Sequence, residues 1–282
     1  MKPTLVKTRD ELRGALDALP GRLGLVMTMG ALHEGHLSLV KEAKKHADHV
    51  MVTVFVNPTQ FAPGEDFDKY PRNLEADLAA VASVGADLVF APATEEIYPN
   101  GNANVTLNPG PSATVLEGKT RPTHFAGVLQ VVHKMFNITG ADVAVFGQKD
   151  AQQLAIVRQM VRDLDMPIEI VGAPIVRAED GLALSSRNSY LSEAEREQAL
   201  SLSASLKAGK AAAEAGNSAD EIKTATRSVL EDAGVRVDYV ELVDPTTFES
   251  VESGEGVLAI AAYVGQTRLI DNTILNIGSI IK

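Results

Sequence analysis

Several residue types that point to particular protein classes are scarce or missing in this chain. It has no cysteine, which excludes disulfides and thiolate metal sites. It has no tryptophan and only 5% aromatic residues, so aliphatic side chains must fill the core. No apolar run reaches the roughly 18 residues that a membrane helix needs, and Met1–Asp10 shows no signal-peptide pattern. These absences predict a soluble, cytoplasmic protein.

The composition that remains is that of a globular protein. The chain has 282 residues, 45% of them hydrophobic, which suffices for a sizeable core and two domains. Its net charge of −11 argues against nucleic acid as a partner, because contacts to the phosphate backbone dominate such binding. A small phosphate ligand is still compatible with this charge, since it needs only a few local donors and cations.

Apolar runs alternate with helical patterns through the first two-thirds of the chain. The predicted strands are Leu23–Met29, Val50–Val56, Asp87–Pro92, Val143–Phe146 and Ile168–Val171. The predicted helices are His33–Asp48, Asn73–Val84, Phe125–Ile138 and Ala151–Leu164. This alternation predicts an α/β domain at residues 1–175 with a Rossmann-like, doubly wound parallel sheet. Its ligand should lie at the carboxyl ends of the strands.

The last third has a different pattern, typical of a smaller α+β domain at residues 176–282. Helices are predicted at Ser192–Gly216 and Ser218–Gly234, the second opening with a capping-box spacing. Strands are predicted at Tyr239–Val243, Val257–Val264 and Thr267–Leu269, the last two joined as a hairpin at Gly265-Gln266.

The segment Met27–His36 lies where the first predicted strand meets the first predicted helix. His33 and His36 are three residues apart, so both side chains can lie on one side of the first helical turn. Free backbone N–H groups and the helix dipole favour phosphate there, and Gly35 permits close approach. The alternatives are ordinary helix-opening residues or a pair of metal ligands, but no third ligand is evident and no protein metal site is predicted. The other histidines of the segment that follows, His46 and His49, are predicted to lie solvated on the polar side of the same helix.

His-x-Gly-His at such a junction resembles the nucleotidyltransferase superfamily. The longer string MGALHEGH, residues 29–36, resembles the pantothenate synthetase family more specifically. The GxGxxG fingerprint of redox Rossmann enzymes is missing, which makes that class the least favoured.

Four further segments fit the same family. Phe55–Phe61 carries Gln60. A strand-ending turn would account for Asn57 and Pro58 in this segment, but it does not explain a glutamine between apolar neighbours. Leu116–Val128 carries Arg121, either a surface charge or a residue near the ligand. The remaining two are Phe146–Gln153 and Ala183–Asn188.

These last two segments are rich in phosphate-binding side chains. Lys149 is a compact cation, although a Lys-Asp helix cap is the alternative interpretation. The family often has Glu where Gln148 stands. Ser185, Ser186 and Arg187 form a predicted anion clamp that needs no helix, against the alternative of a serine turn with a surface arginine.

The resemblance implies an ATP-dependent ligase that joins (R)-pantoate to β-alanine through a pantoyl adenylate, releasing AMP and pyrophosphate. His36, His33, Lys149 and Arg187 would be catalytic, and Gln60 and Gln153 would bind pantoate and β-alanine, with Met29 and Phe61 as apolar walls. The implied ATP-binding residues are Met29, Gly30, Ala31, Leu32, His33, Glu34, Gly35, His36, Gly147, Gln148, Lys149, Asp150, Val176, Leu184, Ser185, Ser186 and Arg187. Mg²⁺ would accompany the phosphates.

The resemblance also implies a homodimer whose second domain acts as a lid, with small-molecule substrates as its partners. The net charge argues against nucleic acid as a partner, and the lack of long apolar runs argues against a membrane. Two other classes stay open. A nucleotidyltransferase acting on a phosphorylated acceptor would explain the two histidines but not the glutamines, and it would release no AMP. A non-catalytic nucleotide sensor would bind ATP without turnover.

Overall fold

The computed structural model of the chain describes residues 2–65, 67–101 and 103–278. It divides into two compact units. The first comprises Met1–Gln148 and Ile156–Pro174, and the second comprises Lys149–Ala155 and Ile175–Lys282. The predicted domains, 1–175 and 176–282, differ from these units because a short segment after residue 148 groups with the second unit. Their outermost ends, Met1 and 279–282, lie outside the described residues.

Within the described residues, the first unit contains a six-stranded sheet whose strands are all parallel. The strands are β1 (Thr4–Val6), β2 (Leu23–Thr28), β3 (His49–Val54), β4 (Leu88–Phe90), β5 (Val143–Gly147) and β6 (Glu169–Ala173). Their order across the sheet is β1-β4-β3-β2-β5-β6. After β2 the chain adds β3 and β4 on one side of it, whereas β5 and β6 lie on the other side, and β1 lies at the edge beside β4. The neighbouring strands β2 and β5 therefore form the topological switch point, where α/β sheets bind ligands at their carboxyl ends.

Helices connect these strands. They are α1 (Arg9–Leu16), α2 (Glu34–Ala43), α3 (Leu74–Ser83), α4 (Thr94–Ile97), α5 (Leu116–Thr120), α6 (His124–Thr139) and α7 (Ala151–Asp163). Thr8 begins α1 by accepting the main-chain N–H of Glu11, and Gly140 ends α6 in the left-handed conformation. Among the described residues, none of the helices is both long and apolar enough to span a bilayer.

The predicted parallel α/β sheet is confirmed, with differences in detail. The helix predicted at His33–Asp48 ends at Ala43. The sequence did not predict β1 and α1. β1 has only three residues, and its burial passes from exposed Thr4 to buried Val6, so no repeating apolar pattern marks it.

The second unit contains an antiparallel sheet of three strands in the order β7-β8-β9. Its elements are α8 (Glu193–Glu214), α9 (Ala219–Asp232), β7 (Arg236–Val243), β8 (Gly254–Val264) and β9 (Thr267–Ile277). The predicted hairpin is confirmed, since Val264 pairs with Thr267. β9 continues well beyond its predicted end at Leu269, because it pairs with β8 along its whole length. The core of this unit joins helices to sheet through buried aliphatic residues that include Leu202, Ile222, Leu230, Leu258 and Ile260.

Candidate active site

The loop between β2 and α2 passes through two residues with positive φ angles. Gly30 has φ 85° and Ala31 has φ 52°, a conformation that residues with a Cβ adopt rarely. A Cβ on Gly30 would lie 2.9 Å from Oδ2 of Asp77 and 3.2 Å from Cγ1 of Val54. Position 30 therefore requires glycine for its backbone angle and for its missing side chain.

Two imidazoles lie side by side where this loop enters α2. The ring centroids of His33 and His36 are 4.2 Å apart, so their predicted placement on one side of the first turn is confirmed. The main-chain N–H of Gly35 donates to Nδ1 of His33 at 3.1 Å, and the main-chain N–H of His33 donates to Nδ1 of His36 at 3.4 Å. Because each Nδ1 accepts a hydrogen bond, each neutral ring carries its proton on Nε2. The start of α2 thus combines two Nε2–H donors with the positive end of a helix dipole, an arrangement suited to phosphate oxygens.

A buried carboxylate on α3 holds the same loop. Asp77 is 3% exposed, and its Oδ1 accepts the main-chain N–H of Leu32 at 2.9 Å. Its Oδ2 has no hydrogen-bond partner in the part of the chain that the structure describes. Burying an oxygen in this way costs stability. The contact to Leu32 fixes the backbone immediately before His33, so Asp77 orients the histidine pair without belonging to the motif.

The amide of Gln60 has a defined orientation. Its Oε1 accepts from Nδ2 of Asn57 at 3.1 Å, and its Nε2 lies 3.2 Å from Sδ of Met29. Asn57 is 1% exposed, and its Nδ2 also donates to the main-chain oxygen of Gly127 at 3.1 Å. Since Asn57 engages the carbonyl of Gln60, the NH₂ group is directed toward Met29. Gln60 therefore offers a hydrogen-bond donor, which suits a carboxylate or hydroxyl oxygen of a ligand.

Two hydroxyls orient Asn57 in turn. The Tyr98 hydroxyl donates to Oδ1 of Asn57 at 2.9 Å, and Oγ1 of Thr59 donates to the same atom at 3.0 Å. Burial raises the pKa of Tyr98, so its hydroxyl keeps its proton at neutral pH. The sequence interpretation of Asn57 as part of a strand-ending turn was incomplete, because this buried amide links Tyr98 to Gln60. No local sequence signal could identify a partner 41 residues away.

The backbone of Gln60 is held from the segment between α5 and α6. Nη2 of Arg121 and Nδ1 of His124 lie 3.4 and 3.0 Å from the main-chain oxygen of Gln60. Arg121 also forms a bidentate ion pair with Glu65, with both N–O distances at 2.7 Å. Burial by itself raises the pKa of Glu65, but the hydrogen bonds and charge of Arg121, with smaller contributions from Ala62 and His124, leave that pKa below its ordinary value. Arg121 is thus a brace for the loop and not a free surface charge, and a role near the ligand stays a prediction.

The second unit carries other predicted nucleotide-binding residues. Lys149 and Asp150 lie in a 3₁₀ turn directly before α7. The main-chain oxygen of Lys149 accepts from Nδ2 of Asn272 on β9 at 2.9 Å. Val176 and Leu184 are brought together, since the main-chain N–H of Leu184 donates to the oxygen of Val176 at 3.0 Å.

The segment Ala183–Asn188, called the serine-arginine segment below, runs into a short 3₁₀ helix, Ser186–Tyr190, where no helix was predicted. Ser185 caps it by accepting the main-chain N–H of Arg187 at 3.3 Å. Asn188 closes the loop by donating to the main-chain oxygen of Ala183 at 3.0 Å. The serine turn is therefore present, and anion binding by the same segment stays a prediction.

The placement predicted for two other histidines was wrong. α2 ends at Ala43, so neither lies on it. Nε2 of His46 lies 3.3 Å from Oε1 of Glu42. His49 is the first residue of β3, with Nδ1 3.8 Å from Oδ1 of Asp87. Among the described residues, no cluster of three or more histidine or acidic side chains could hold a metal ion.

The chain is similar to known proteins over nearly its whole length. Residues 4–274 match the family described as pantoate-beta-alanine ligase. A pantothenate synthetase of Thermobifida fusca (strain YX) is 52% identical over 288 residues, covering 98% of this chain and 96% of the relative. A pantothenate synthetase of Salinispora arenicola (strain CNS-205) is 52% identical, covering 95% of this chain and 96% of the relative.

Solved structures are similar as well. A pantothenate synthetase from Thermus thermophilus superposes with a TM-score of 0.91 at 45% identity, covering 96% of this chain and 98% of that one. A pantoate-beta-alanine ligase from Francisella tularensis, complexed with beta-gamma ATP and beta-alanine, superposes with a TM-score of 0.81 at 33% identity. That match covers 96% of this chain and 97% of the other.

Proposed function

Because this chain belongs to the pantoate–β-alanine ligase family, we propose that its reaction passes through a pantoyl adenylate bound by the residues described above. The chain is a ligase that forms an amide bond, condensing pantoate with β-alanine in an ATP-dependent reaction. A free carboxylate does not react with an amine at neutral pH, because oxide would have to leave. Activation with AMP supplies a better leaving group.

The two steps balance as follows. A carboxylate oxygen of (R)-pantoate attacks the α-phosphorus of ATP, the bond to the bridging oxygen breaks, and pyrophosphate leaves. The amine of β-alanine then attacks the acyl carbon, the bond from that carbon to the AMP oxygen breaks, and AMP leaves. The nitrogen loses a proton as pantothenate forms. Catalysis of this kind requires positioning and stabilisation of the charge that develops on the phosphates.

The arrangement of His33 and His36 is the observation that carries the proposal. Their Nδ1 atoms accept main-chain hydrogen bonds, which places Nε2–H donors at a helix N-terminus. We assign both donors to phosphate oxygens of ATP, and His36 to stabilising pyrophosphate as it leaves. Backbone N–H groups of the preceding loop add neutral donors.

If the histidines act in this way, removing the Asp77 carboxylate on α3, which holds the loop before His33, should change the KM for ATP. We expect Asp77→Ala to raise the KM for ATP about tenfold or more, because loss of the Leu32 contact misplaces His33. Asp77→Asn keeps an oxygen acceptor for Leu32 and should retain most of the ATP affinity. Steady-state kinetics and thermal unfolding of both variants measure this.

Glu75→Ala is the matched control, since it removes an exposed carboxylate from the same helix. It should leave the KM for ATP unchanged. An Asp77→Ala enzyme with a lower Tm but a normal KM for ATP would show that Asp77 serves only the fold.

We assign recognition of pantoate to Gln60 and Gln153. The NH₂ group of Gln60 is directed away from Asn57 and offers a donor to the oxygens of the acid. Gln153 lies half-buried in the first turn of α7 and supplies a second amide. Met29 is in contact with Gln60, and Phe61 packs edge-on against Phe67, which supports both as apolar walls.

In the second unit we assign Lys149, Ser185, Ser186 and Arg187 to the phosphates. Lysine and arginine supply charge-assisted donors, and serine hydroxyls supply neutral ones. The nucleoside would be contacted by Gly147, Asp150 and Val176. The other assigned nucleotide contacts are Gly30, Ala31, Leu32, Glu34, Gly35, Gln148 and Leu184.

Mg²⁺ would enter with ATP. This ion binds phosphate oxygens and usually keeps several waters, so few protein ligands are needed. It would neutralise charge on the triphosphate, while Lys149 and Arg187 hold the nucleotide in place. The homodimer, the cytoplasmic location and the lid role of the second unit are further proposals that rest on the family.

The test is pyrophosphate release from ATP and Mg²⁺, with and without each co-substrate. We expect release that depends on pantoate, with AMP and pantothenate appearing when β-alanine is added. Pantoate labelled with ¹⁸O in its carboxylate should transfer one label to AMP, because that oxygen bridges the adenylate. Unlabelled AMP would exclude the acyl adenylate, and ATP binding without pantoate-dependent turnover would remove the substrate assignment.

A further inference from the structure

Asn272 lies on β9, far along the chain from any residue assigned to catalysis. Asn272 is only 6% exposed. Its Nδ2 donates to the main-chain oxygen of Lys149 at 2.9 Å, a contact between residues 123 positions apart. Both residues belong to the second unit. The backbone from which the Lys149 side chain projects is therefore held by β9.

The neighbouring residue holds Asn272 in place. The Asp271 side chain is 1% exposed, and its Oδ1 accepts the main-chain N–H of Asn272 at 2.8 Å. Arg177 binds both oxygens of this carboxylate, at 2.6 and 3.0 Å. A buried carboxylate with a bidentate arginine partner is a rigid anchor, because breaking it would leave an uncompensated buried charge.

The same arginine also fixes the turn that precedes the serine-arginine segment. The Arg177 side chain donates to the main-chain oxygen of Gly181 at 3.2 Å. The main chain of Arg177 also pairs with that of Ala183 as an isolated antiparallel β-bridge. Asp271 thus anchors two segments of the main chain. Through Arg177 it holds the segment that leads to Ser185, and through Asn272 it holds the main chain at Lys149. Two groups assigned to the phosphates share one partly buried ion pair as their support.

We propose that Asn272 is a positioning residue for Lys149, with the Asp271–Arg177 ion pair as its anchor. The inference rests on the proposed role of Lys149 at the phosphates. A lysine has four rotatable side-chain bonds, so its ammonium reaches a defined place only if the backbone beneath it is held. Asn272 contacts the main chain of Lys149, so the proposed effect on the reaction is transmitted through Lys149.

The test replaces the donor by an acceptor of the same size. Asn272→Asp cannot donate to the Lys149 oxygen, and Asn272→Ala removes the donor without adding charge. We expect each variant to lower kcat for pantoate-dependent pyrophosphate release about 10- to 100-fold, the range for a small misplacement of a catalytic group. Measuring kcat at saturating pantoate separates the effect on Lys149 from any change in pantoate binding by Gln60 and Gln153. Thermal unfolding confirms that the variants remain folded.

The matched control is Asn276→Asp, the same substitution at an exposed position of the same strand. It should behave as the parent enzyme. A double-mutant cycle with Lys149→Ala then isolates the coupling. If Asn272 acts through Lys149, the enzyme lacking both side chains is no slower than Lys149→Ala alone.

Three outcomes are separable. Equal activity of Asn272→Asp, Asn272→Ala and Asn276→Asp would overturn the positioning role. Losses that multiply in the double variant would also overturn it, because Asn272 would then act independently of Lys149. Normal pyrophosphate release by Lys149→Ala would instead overturn the phosphate assignment of Lys149, whatever the Asn272 variants do.

Discussion

Replacement of His36 by alanine is expected to lower the rate of pantoate-dependent pyrophosphate release about a hundred- to a thousandfold. The loss of one preorganised donor to developing negative charge costs roughly 3–4 kcal/mol of transition-state stabilisation. The His36 ring is set by a main-chain hydrogen bond to its Nδ1, so its Nε2–H needs no reorganisation as charge develops. Single-turnover measurement of pyrophosphate, with saturating pantoate and no β-alanine, isolates this step.

The control is His46→Ala. That imidazole lies beyond the end of α2 and pairs with Glu42, so its removal should leave adenylation unchanged. A His36→Ala enzyme with near-normal adenylation would remove His36 from the catalytic assignment. A loss confined to the β-alanine-dependent step would move its role from pyrophosphate departure to amide formation.

The second large effect is expected from Gly127→Ala on α6. A Cβ at this position would overlap the main-chain oxygen of Thr59 and lie 2.7 Å from Cα of Gln60. Both are backbone atoms, so the added methyl group must push apart the helix and the loop. Overpacking of this kind typically costs about 1–3 kcal/mol of stability. Because the displaced loop carries Gln60, we expect the KM for pantoate to rise at least about tenfold as well.

Urea unfolding and steady-state kinetics measure the two parts of this prediction. Gly14→Ala is the matched control, since a Cβ on Gly14 in α1 meets nothing within 4 Å. Alanine in a helix interior is favoured over glycine by about 0.5–1 kcal/mol, so the control should be slightly stabilised. A Gly127→Ala enzyme with unchanged stability would mean that α6 and the loop separate more easily than their contact suggests.

The parallel sheet could be predicted from the sequence because its central strands are buried on both faces. Such strands appear as continuous apolar runs, as in β2 and β3, where most residues are buried. β1 could not be predicted, since three residues with one buried side chain carry no period. The end of α2 was missed because Lys44–His46 contain no helix-breaking residue, and the chain leaves the helix to pair β3 with β2.

The candidate site likewise contains some residues that could be predicted from the sequence and others that could not. His33 and His36 could be predicted together because helical geometry alone brings residues three apart to one side. Tyr98, Asp77 and Asn272 could not be identified. Their hydrogen-bond partners lie 41, 45 and 123 residues away. Only the tertiary placement of α3, of the residue that follows α4, and of β9 brings such pairs within reach.

The sequence by itself determined the family, the reaction class and the residue types available to it, because those depend on short strings of fixed spacing. Only the tertiary structure decided which atom of each side chain forms a hydrogen bond with a neighbouring residue. That in turn decides whether the side chain presents a hydrogen-bond donor or an acceptor to a ligand. Imidazole and carboxamide groups each carry a donor and an acceptor. In His33 and Gln60 the acceptor is taken up by Gly35 and Asn57 respectively. Each side chain therefore presents a donor, and this polarity follows from where the neighbouring backbone and side chains lie in space.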